Sequence, residues 1–522
     1  MPLKFKKSFL KEKIEELFGI DVRSLALFRI SIAVLLIIDL IVNATGLTAY
    51  FTDNGVLPRS ALTQSYFRPW YLMVHFISGD LYVQALLFAI AGLFAFSMLA
   101  GFYTRFATFM SWYFLTSLHI RNPYVLQNGD LLLNLLLFWS IFLPLGCRYS
   151  IDSLLNLSRR SIPKRIFSLA TAAILTQAVF MYVFAVILKS SGEWWPDGTA
   201  VYYALSVDQF SSQFGLFLLK FPIVVKFLTY AVYFFELLGP FLLFTPFFVG
   251  HIRTILFFAF AFLQFGMGIS LNLGNFPWIA AIAMIPFLPT WFWGKIANKI
   301  KILNIKNKCF YIYHKITAKI KDCFKHRNLS FRPSRISNII VGFFLVYVFL
   351  WSLESINAYK MPQKLKLIGY NMNIDHRWNM FAPKPLLDDG WYVITGKLKN
   401  GTFVDIFNEG RSVSWNKPEL VSANYKNAKN RKYMMNLWIN RHSRHPFYFS
   451  QYLCYDWNLK HKGEKELESL EIFFVLERTL PDYQMPKHKN ISIWKHYCFN
   501  EKLDRNYTKE EQIPQIAEGY GI

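Results

Sequence analysis

Charged residues are scarce in this sequence of 522 residues, in which Asp, Glu, Lys and Arg together make up 17%. Soluble domains carry about 25% charged residues, so an ordinary soluble fold is excluded. Cysteine is also rare, with five in the whole chain, which excludes a small secreted scaffold held together by disulfides. Acidic residues are fewer than basic ones, with 33 Asp and Glu against 57 Lys and Arg. The 54% of hydrophobic residues excludes intrinsic disorder, because such a chain can bury a large apolar surface.

The hydrophobic residues are concentrated in nine long runs. A helix needs about 20 apolar residues to cross the hydrocarbon core of a bilayer, and the runs are of that length or slightly shorter. They predict an all-α polytopic membrane bundle of about nine transmembrane helices, of which the third and fourth are the shortest. The predicted spans are 24–43, 80–101, 104–119, 130–146, 166–188, 223–246, 252–271, 275–293 and 337–356.

The basic residues of the loops predict how these spans are oriented. Lys and Arg are frequent in the N-terminal segment and in alternate loops, whereas the loops on the other side hold few, among them Arg59, Arg121 and Lys220. Cytoplasmic loops carry an excess of Lys and Arg, so we expect a cell inner membrane protein with its N-terminus in the cytoplasm and its C-terminal region outside. The net charge of +24 does not indicate a nucleic-acid partner, because the bases lie in short loops rather than along one groove.

Two polar segments flank the predicted helices on the cytoplasmic side. Residues 1–23 mix bases and acids before an apolar run that is too long for a secretion signal, so we predict a cytoplasmic amphipathic segment. Residues 294–336 form a basic cytoplasmic loop, in which Asp322 is the only acid between Lys295 and Arg335. Attraction to anionic lipids predicts that this loop lies on the membrane surface, and a helix that binds a regulatory partner is the alternative.

Residues 357–522 have the composition of a globular domain, and their pattern predicts a small α+β extracytoplasmic fold after the ninth helix. Apolar and polar residues alternate in 391–398 and 402–407 around Lys399-Asn400-Gly401, which indicates a β-hairpin. The other predicted elements are a strand at 470–476 and helices at 420–440 and 447–455.

Cysteine and histidine spacing bears on disulfides and metals. Cys454 and Cys498 both belong to the predicted outer domain, where a disulfide can persist. A bond between them is one prediction, and the alternative is that they lie too far apart to bond. His442 and His445 form an HxxH pair without a third ligand, so an exposed basic turn is predicted there. No metal cofactor is predicted.

Arg29 and Glu236 are ionisable residues inside predicted spans, where an unpaired charge is costly. Glu236 lies near the middle of its span, and we predict that it is either protonated or paired with a base such as Arg29, which would fix the bundle. Arg29 lies close to the cytoplasmic end of its own span, so extension of its side chain to the interface is the alternative.

A second group of polar residues lies at the predicted outer ends of the spans. Lys189 follows an apolar helix end, and partial burial there would favour the neutral amine, which can act as a base. A lysine that reaches the aromatic interface of the membrane is the alternative. The residues predicted to share its pocket are Asp39, His119, Arg121, Asn122, Asn128 and Asp130.

Three stretches of the sequence together resemble a known family. They are Ser24-Leu-Ala-Leu-Phe-Arg-Ile30 with Tyr50-Phe-Thr-Asp-Asn-Gly-Val-Leu-Pro58, Arg121-Asn-Pro-Tyr with Asn128-Gly-Asp130 and Phe142-Leu-Pro-Leu-Gly146, and Lys189 with Trp195-Pro-Asp-Gly198. In this order they are similar to the HTTM (horizontally transferred transmembrane) domain, which vitamin K-dependent gamma-carboxylases share with many bacterial membrane proteins. The resemblance covers roughly residues 18–293, and it implies that the eight helices of residues 24–293 form one HTTM-like domain.

The resemblance also implies a chemistry and residue roles. In the carboxylases a base deprotonates reduced vitamin K, whose reaction with oxygen gives an alkoxide that removes a γ-proton from substrate glutamate before CO2 adds. Lys189 matches the starting base, and Asp130 is the second catalytic candidate, with Asp39 and Asn128 orienting the lysine. Where the carboxylases have a histidine, this sequence reads Gln127-Asn-Gly-Asp130.

We therefore predict a multi-pass bacterial membrane protein that uses a reduced, vitamin K-like quinone to modify a secreted or membrane protein, by chemistry like that of the gamma-glutamyl carboxylases. Its partners would be the lipid bilayer and an exported protein or peptide. The alternative is a non-catalytic maturation or assembly factor for an exported peptide. A transporter is disfavoured because the sequence contains neither inverted repeats nor paired broken helices.

Overall fold

A computed structural model of the protein describes residues 11–65, 72–156, 163–302, 334–484 and 487–499. Residues 11–18 are helical, within the predicted amphipathic segment. Most of the predicted basic loop lies outside the described residues, so its place on the membrane surface stays a prediction.

The first part of the chain is a bundle of helices joined by short connections. Its main helices are α1 (Val22–Ala44), α2 (Leu81–Ala100), α3 (Thr104–Arg121), α4 (Asn128–Ser140), α5 (Leu169–Leu188), α6 (Pro222–Leu242), α7 (Val249–Ser270), α8 (Phe276–Ala283), α9 (Thr290–Ile302) and α10 (Arg335–Ser355). Five shorter helices lie in the connections, at Leu47–Phe51, Arg59–Ser65, Ile151–Leu155, Ala200–Ser206 and Gln213–Leu218.

Local sequence signals fix where several of these helices begin and end. The side chain of Asp80 accepts from the first free amides of α2, and Ser168 does the same for α5, so donors without an intrahelical partner are satisfied. At the end of α2, Gly101 adopts a left-handed conformation with φ of 70°, which glycine tolerates because it has no Cβ.

One end of the bundle, the basal end, contains the starts of α1, α5 and α7 and the ends of α2, α4 and α6. Ser24 near the start of α1 donates from Oγ to the carbonyl of Leu288 at 2.7 Å. Near the start of α7, Arg253 donates from Nε to the carbonyl of Leu243, directly after α6, at 2.9 Å. Arg253 also donates from Nη2 to the carbonyl of Leu17, which shortly precedes α1. The two ends of the connection between α6 and α7 therefore lie on the same side as the start of α1.

The opposite end, the capped end, contains the last turns of α1, α3, α5 and α7. Asn122 after α3 donates to the carbonyl of Tyr50, which follows α1, and Asn275 before α8 donates to Asp39 in α1, both at 2.9 Å. Consecutive helices therefore run in alternate directions.

Helix length and apolarity do not confirm all nine predicted spans. In the described residues six helices, α1, α2, α5, α6, α7 and α10, are long and apolar enough to cross a membrane. The number becomes seven if α8 and α9, which are bent by 91° at a break, form one span. The helices α3 and α4 fall short because α4 has only 13 residues and α3 carries many polar ones. All of α4 is buried among other helices, whereas the first half of α3 exposes Phe106 and Phe109.

The outer helices expose apolar side chains of the kind that lipid would cover. Ile223 in α6 is 86% exposed and Phe262 in α7 is 77% exposed, whereas most of the apolar stretch of α5 is buried. An apolar surface of this kind marks contact with a membrane or another protein. The bundle thus has a protein core around α4 and α5 and an apolar outer surface.

The C-terminal part contains the predicted small α+β domain. Helices α11 (Gln363–Met372), α12 (Ala428–Ile439) and α13 (His445–Lys460) accompany the strands β1 (Asp388–Leu398), β2 (Phe403–Asp405), β3 (Leu467–Arg478) and β4 (His488–Tyr497). The sheet is antiparallel in the order β2-β1-β3-β4. The hairpin around Asn400 and the strand at 470–476 are confirmed, and β4 was not predicted because its apolar residues do not alternate regularly.

Cys454 and Cys498 are joined by a disulfide with a Cα–Cα distance of 5.6 Å. The bond ties α13 to the residue that follows β4, so it holds the edge strand of the sheet against a helix. Of the two alternatives that the sequence left open, the structure contains the bonded one.

The C-terminal domain packs directly on the capped end of the bundle. Asn134 in α4 donates to the carbonyl of Asn373 at 2.8 Å, and Gln127 before α4 donates to the carbonyl of Ala428, the first residue of α12, at 2.7 Å. Buried apolar residues of both parts belong to one continuous core. The domain therefore closes the end of the bundle at which the predicted site residues lie.

Candidate functional site

A buried cavity lies at the junction of the bundle and the C-terminal domain. It encloses about 60 Å³, its wall is mostly apolar, and it is bordered by α5, α6, α7 and α12. The polar residues of its wall come from both parts of the chain. They are Gln127, Asn128, Tyr182, Lys189, Glu236, Gln264, Arg431 and Lys432.

Lys189 and Glu236 form a buried ion pair in the wall of this cavity. Lys189 directly follows α5 and donates from Nζ to Oε2 of Glu236 in α6, and the two side chains are only 5% and 7% exposed. The ammonium group also lies 4.4 Å from the ring centre of Trp194. Buried ionisable side chains are stable when they are paired, and each member of this pair gives the other its partner.

The predicted pairing of Arg29 with Glu236 is wrong. Arg29 is fully buried near the basal end, where its Nη2 donates to the carbonyl of Tyr149 at 2.5 Å, so its side chain does not extend to the interface either. Lys189, the partner of Glu236, closes a helix of 20 residues that starts at the basal end, whereas Arg29 lies in the second turn of α1. At about 1.5 Å per residue, the two basic residues differ in height by about 20 Å.

Asn128 and Gln264 line the cavity and carry buried polar atoms without partners among the described residues. Asn128 is 3% exposed, and neither its Nδ2 nor its Oδ1 has a hydrogen-bond partner among the described residues. Gln264 is 1% exposed and donates from Nε2 to the hydroxyl of Tyr182 at 2.8 Å, which leaves its Oε1 without a partner there. Each buried polar atom without a partner costs about 1–3 kcal/mol, so these atoms favour a polar ligand.

Lys432 is a second lysine in the cavity, and the sequence did not indicate it. It lies in α12, is 4% exposed, and makes no hydrogen bond or ion pair with the described part of the chain. Burial lowers the pKa of its amine to about 8; the charge of Asp130 opposes this shift and that of Arg431 adds to it. A base-rich amphipathic stretch such as 428–439 usually indicates a solvated helix face, so only the fold shows that this side chain points inward.

Asp39 and Asp130 do not surround Lys189 as predicted, because they bind another lysine. Lys429 of α12 lies 2.7 Å from Oδ1 of Asp130 and 3.4 Å from Oδ1 of Asp39. The other oxygen of Asp130 accepts from the amide of Gln127 at 2.8 Å and caps α4. Burial disfavours the charged form of Lys429, but Asp130 and Asp39 outweigh it and raise the pKa of this amine. We call these three residues the carboxylate clamp.

Arg121 and Asn122 are also outside the cavity, and they hold a loop. Arg121 donates from its guanidinium to the carbonyls of Leu57 at 2.8 Å and Thr52 at 3.0 Å, while Asn122 binds the carbonyl of Tyr50. The motif stretches at 50–58 and 121–124 are therefore brought together, and their contacts position the connection after α1. Of the predicted pocket residues, Asn128 alone shares the cavity with Lys189 in the described part of the chain.

These features define a multi-pass membrane protein with a mostly apolar cavity, which contains a few polar groups and is closed by a folded C-terminal domain. The family model of the HTTM domain matches residues 19–292. Because the match covers more than half of the chain, the protein belongs to the HTTM domain family, which confirms the resemblance seen in the sequence. No curated protein and no solved structure matches the chain.

Replacing Lys429 by Met tests the carboxylate clamp. The substitution leaves Asp39 and Asp130 buried without their cation, so we expect the free energy of unfolding to fall by about 3–5 kcal/mol. The measurement is the thermal midpoint of the purified protein in detergent, together with the rate at which protease releases the C-terminal domain.

The matched control for this prediction is Lys426→Met, which removes an exposed lysine just before the same helix and should leave both quantities unchanged. The double variant Lys429→Met with Asp39→Asn should recover part of the loss, since it removes one of the two unpaired charges. If Lys429→Met behaved like Lys426→Met, the clamp would not contribute to docking.

Proposed function

We propose that this HTTM protein is a membrane enzyme that binds a reduced quinone in the cavity between its bundle and its C-terminal domain and modifies a secreted or membrane protein. The observation that carries the proposal is the group of polar atoms without partners around a mostly apolar wall, next to the Lys189–Glu236 pair. An apolar wall with few polar groups suits a ring that bears oxygen substituents.

The proposal includes nine membrane crossings in a cell inner membrane. The alternate directions of consecutive helices in the bundle support it. The first half of α3 exposes Phe106 and Phe109, whereas the short helix α4 is enclosed by other helices. The positive charge of the loops supports a cytoplasmic N-terminus and a cytoplasmic basal end. The C-terminal domain and the cavity entrance would then face the outside, where exported proteins pass.

Lys189 would stabilise the anion that forms when a quinol loses a proton. Its ammonium group is held by Glu236 in a place from which water is largely excluded, and charge interactions there are stronger than in water. Asp130 and Asp39 would act through Lys429, by fixing α12 over the cavity. In this proposal Asp130 is a positioning residue rather than a group that touches the quinone.

The closed cavity is smaller than a quinone ring, since about 60 Å³ holds about two water molecules. A ring therefore requires part of the wall to move. The half-buried residues of this wall are Gln127, Val232, Met267, Leu273, Met380 and Phe381. Two of them, Met380 and Phe381, belong to the segment before β1. Their outward movement would admit a ring from the membrane side.

A second candidate function is the binding of an exported peptide without chemistry. Among the described residues β4 pairs with β3 alone, and most residues of β4 between His488 and Ile493 are exposed. A sheet edge of this kind can accept an added peptide strand through backbone hydrogen bonds. This edge would also serve an enzyme that must hold a protein substrate, so the cavity decides between the two functions.

Tags at the two termini test the proposed orientation. We expect a protease-cleavable tag after Ile522 to be cut in spheroplasts, because an odd number of crossings carries the C-terminus outside. A tag before Met1 is the control and should be cut only after the membrane is opened. A C-terminal tag that is reached only from the cytosol would contradict the orientation.

Carbon dioxide incorporation tests the proposed chemistry. Membranes containing the protein, given labelled bicarbonate, oxygen and a reduced naphthoquinone, should acquire label in protein glutamate. Lys189→Met should reduce the label at least 100-fold, because it removes the charge that stabilises the quinol anion.

Lys220→Met, which changes an exposed lysine of the loop between α5 and α6, is the matched control and should retain full labelling. Label that survives Lys189→Met would refute the role of this lysine. Absence of label in the wild-type protein, combined with full complementation of a deletion strain by Lys189→Met, would favour the peptide-binding function.

A further inference from the structure

Two lysines face the cavity, and their surroundings give them different chemical properties. Lys189 pairs with Glu236 and lies over the ring of Trp194. Lys432 is equally buried and has no acid in contact with it in the described residues. Its nearest charged neighbour in sequence is Arg431, which also lines the cavity and carries the same sign.

The neighbouring Lys429 provides a comparison within the same helix. Lys429 and Lys432 are one helical turn apart in α12, and both are at least nine-tenths buried. Lys429 contacts two carboxylates, whereas Lys432 faces the cavity. Burial without a counter-ion favours the neutral amine, which has a lone pair that can accept a proton. The pKa of about 8 for Lys432 makes a fraction of about one tenth neutral at pH 7.

The atoms without partners specify what a ligand must offer. Gln264 donates its amide hydrogen to Tyr182, so the atom that remains for a ligand is Oε1, an acceptor. A ligand that satisfies it must carry a hydrogen-bond donor. Asn128 has both a donor and an acceptor without partners. An oxidised quinone has only acceptors at its ring, whereas a quinol has hydroxyl groups that can both donate and accept.

We propose that Lys432, supplied by the C-terminal domain, is the proton acceptor of the cavity, and that Asn128 and Gln264 hold the hydroxyl oxygens of a quinol against it. The inference rests on the proposed function for the identity of the ligand. It adds that the bundle alone is incomplete as a site, because the group that accepts the proton belongs to α12.

The proton transfer is balanced without a further reactant. The O–H bond of one quinol hydroxyl breaks and an N–H bond forms on Nζ of Lys432, so a neutral pair becomes a quinol monoanion and an ammonium ion. The charged groups that act on Lys432 are Arg431 on its own helix and Asp130 from α4. The other titratable groups of the cavity wall are Tyr182 from α5, Lys189 directly after α5 and Glu236 from α6. Lys189 and Arg431 are the cations that would stabilise the anion.

The pH dependence of lysine methylation tests this assignment in the wild-type protein. Formaldehyde with a borane reductant is a small reagent that modifies the neutral amine, and mass spectrometry reports each lysine separately. For Lys432 we expect the rate to rise about tenfold between pH 7 and pH 9 and then to level off. Exposed Lys426 is the internal control, and the profile of Lys432 is compared with its profile.

Protection by a ligand completes the test. A short-chain naphthoquinol should reduce methylation of Lys432 at least fivefold at pH 8 and leave Lys426 unchanged, and the oxidised naphthoquinone should protect less. In turnover, Lys432→Met should lower kcat by a larger factor than the factor by which it changes KM. Lys432→Arg keeps the charge but cannot accept a proton, so it should not restore kcat. Lys426→Met should retain both values.

The outcomes separate this inference from the proposed function. If Lys432 reacts like Lys426 at every pH, or if Lys432→Met leaves quinol turnover and its pH dependence unchanged, Lys432 is not the acceptor, while the quinol function stands. If the amine titrates near pH 8 and no quinol protects it, the assignment of quinol chemistry to this cavity is overturned for both proposals.

Discussion

The contact on which the rest of the site depends is the one between Lys429 and the two carboxylates at the capped end of the bundle. Asp39 and Asp130 belong to different helices, and each would be an uncompensated buried charge without the cation that α12 supplies. Because α12 is fixed there, the next turn of the same helix brings Lys432 over the cavity. The HTTM domain and the C-terminal domain thus form one site, with charge balance as the reason for their association.

The polar residues of the bundle are of two kinds. Some are bonded to other parts of the chain and stabilise the fold, and others have polar atoms without partners that a ligand could bind. Arg121, Asn122 and Asn134 bind backbone carbonyls of loops that would otherwise lack donors. The carboxylate clamp neutralises its own charges. The polar atoms without partners in Asn128 and Gln264 belong to the cavity wall, which also contains the ion pair of Lys189 and Glu236. This separation is why the cavity, rather than the wider group of polar residues at the helix ends, is the candidate site.

The sequence predicted the apolar helices, the hairpin around Asn400 and the place of Lys189 at a helix end, because these depend on local periodicity and composition. It could not predict partners across the chain. Glu236 was given the wrong base because several positive residues are compatible with it until the heights of the helices are known. Gln264 could have been found from the sequence, because it is a lone amide in an apolar helix. Lys432 could not, because in sequence it resembles any basic residue of a solvated helix, and only the packing of α12 against the sheet and the carboxylate clamp shows that it faces inward.

Thiol cross-linking between Thr45 and Asn427 tests the docking of α12 most directly, since Nδ2 of Asn427 lies 3.1 Å from Oγ1 of Thr45. The pair Thr45→Cys with Asn427→Cys would be treated in native membranes with a thiol reagent about 5 Å long, in a background with Cys309 and Cys323 replaced by serine. We expect an intramolecular cross-link in the double variant, so that the fragments containing positions 45 and 427 stay joined after the chain is cleaved between these positions. Neither single variant should form it. A yield of cross-linked protein no higher than in the single variants would contradict a site formed jointly by the HTTM domain and the C-terminal domain.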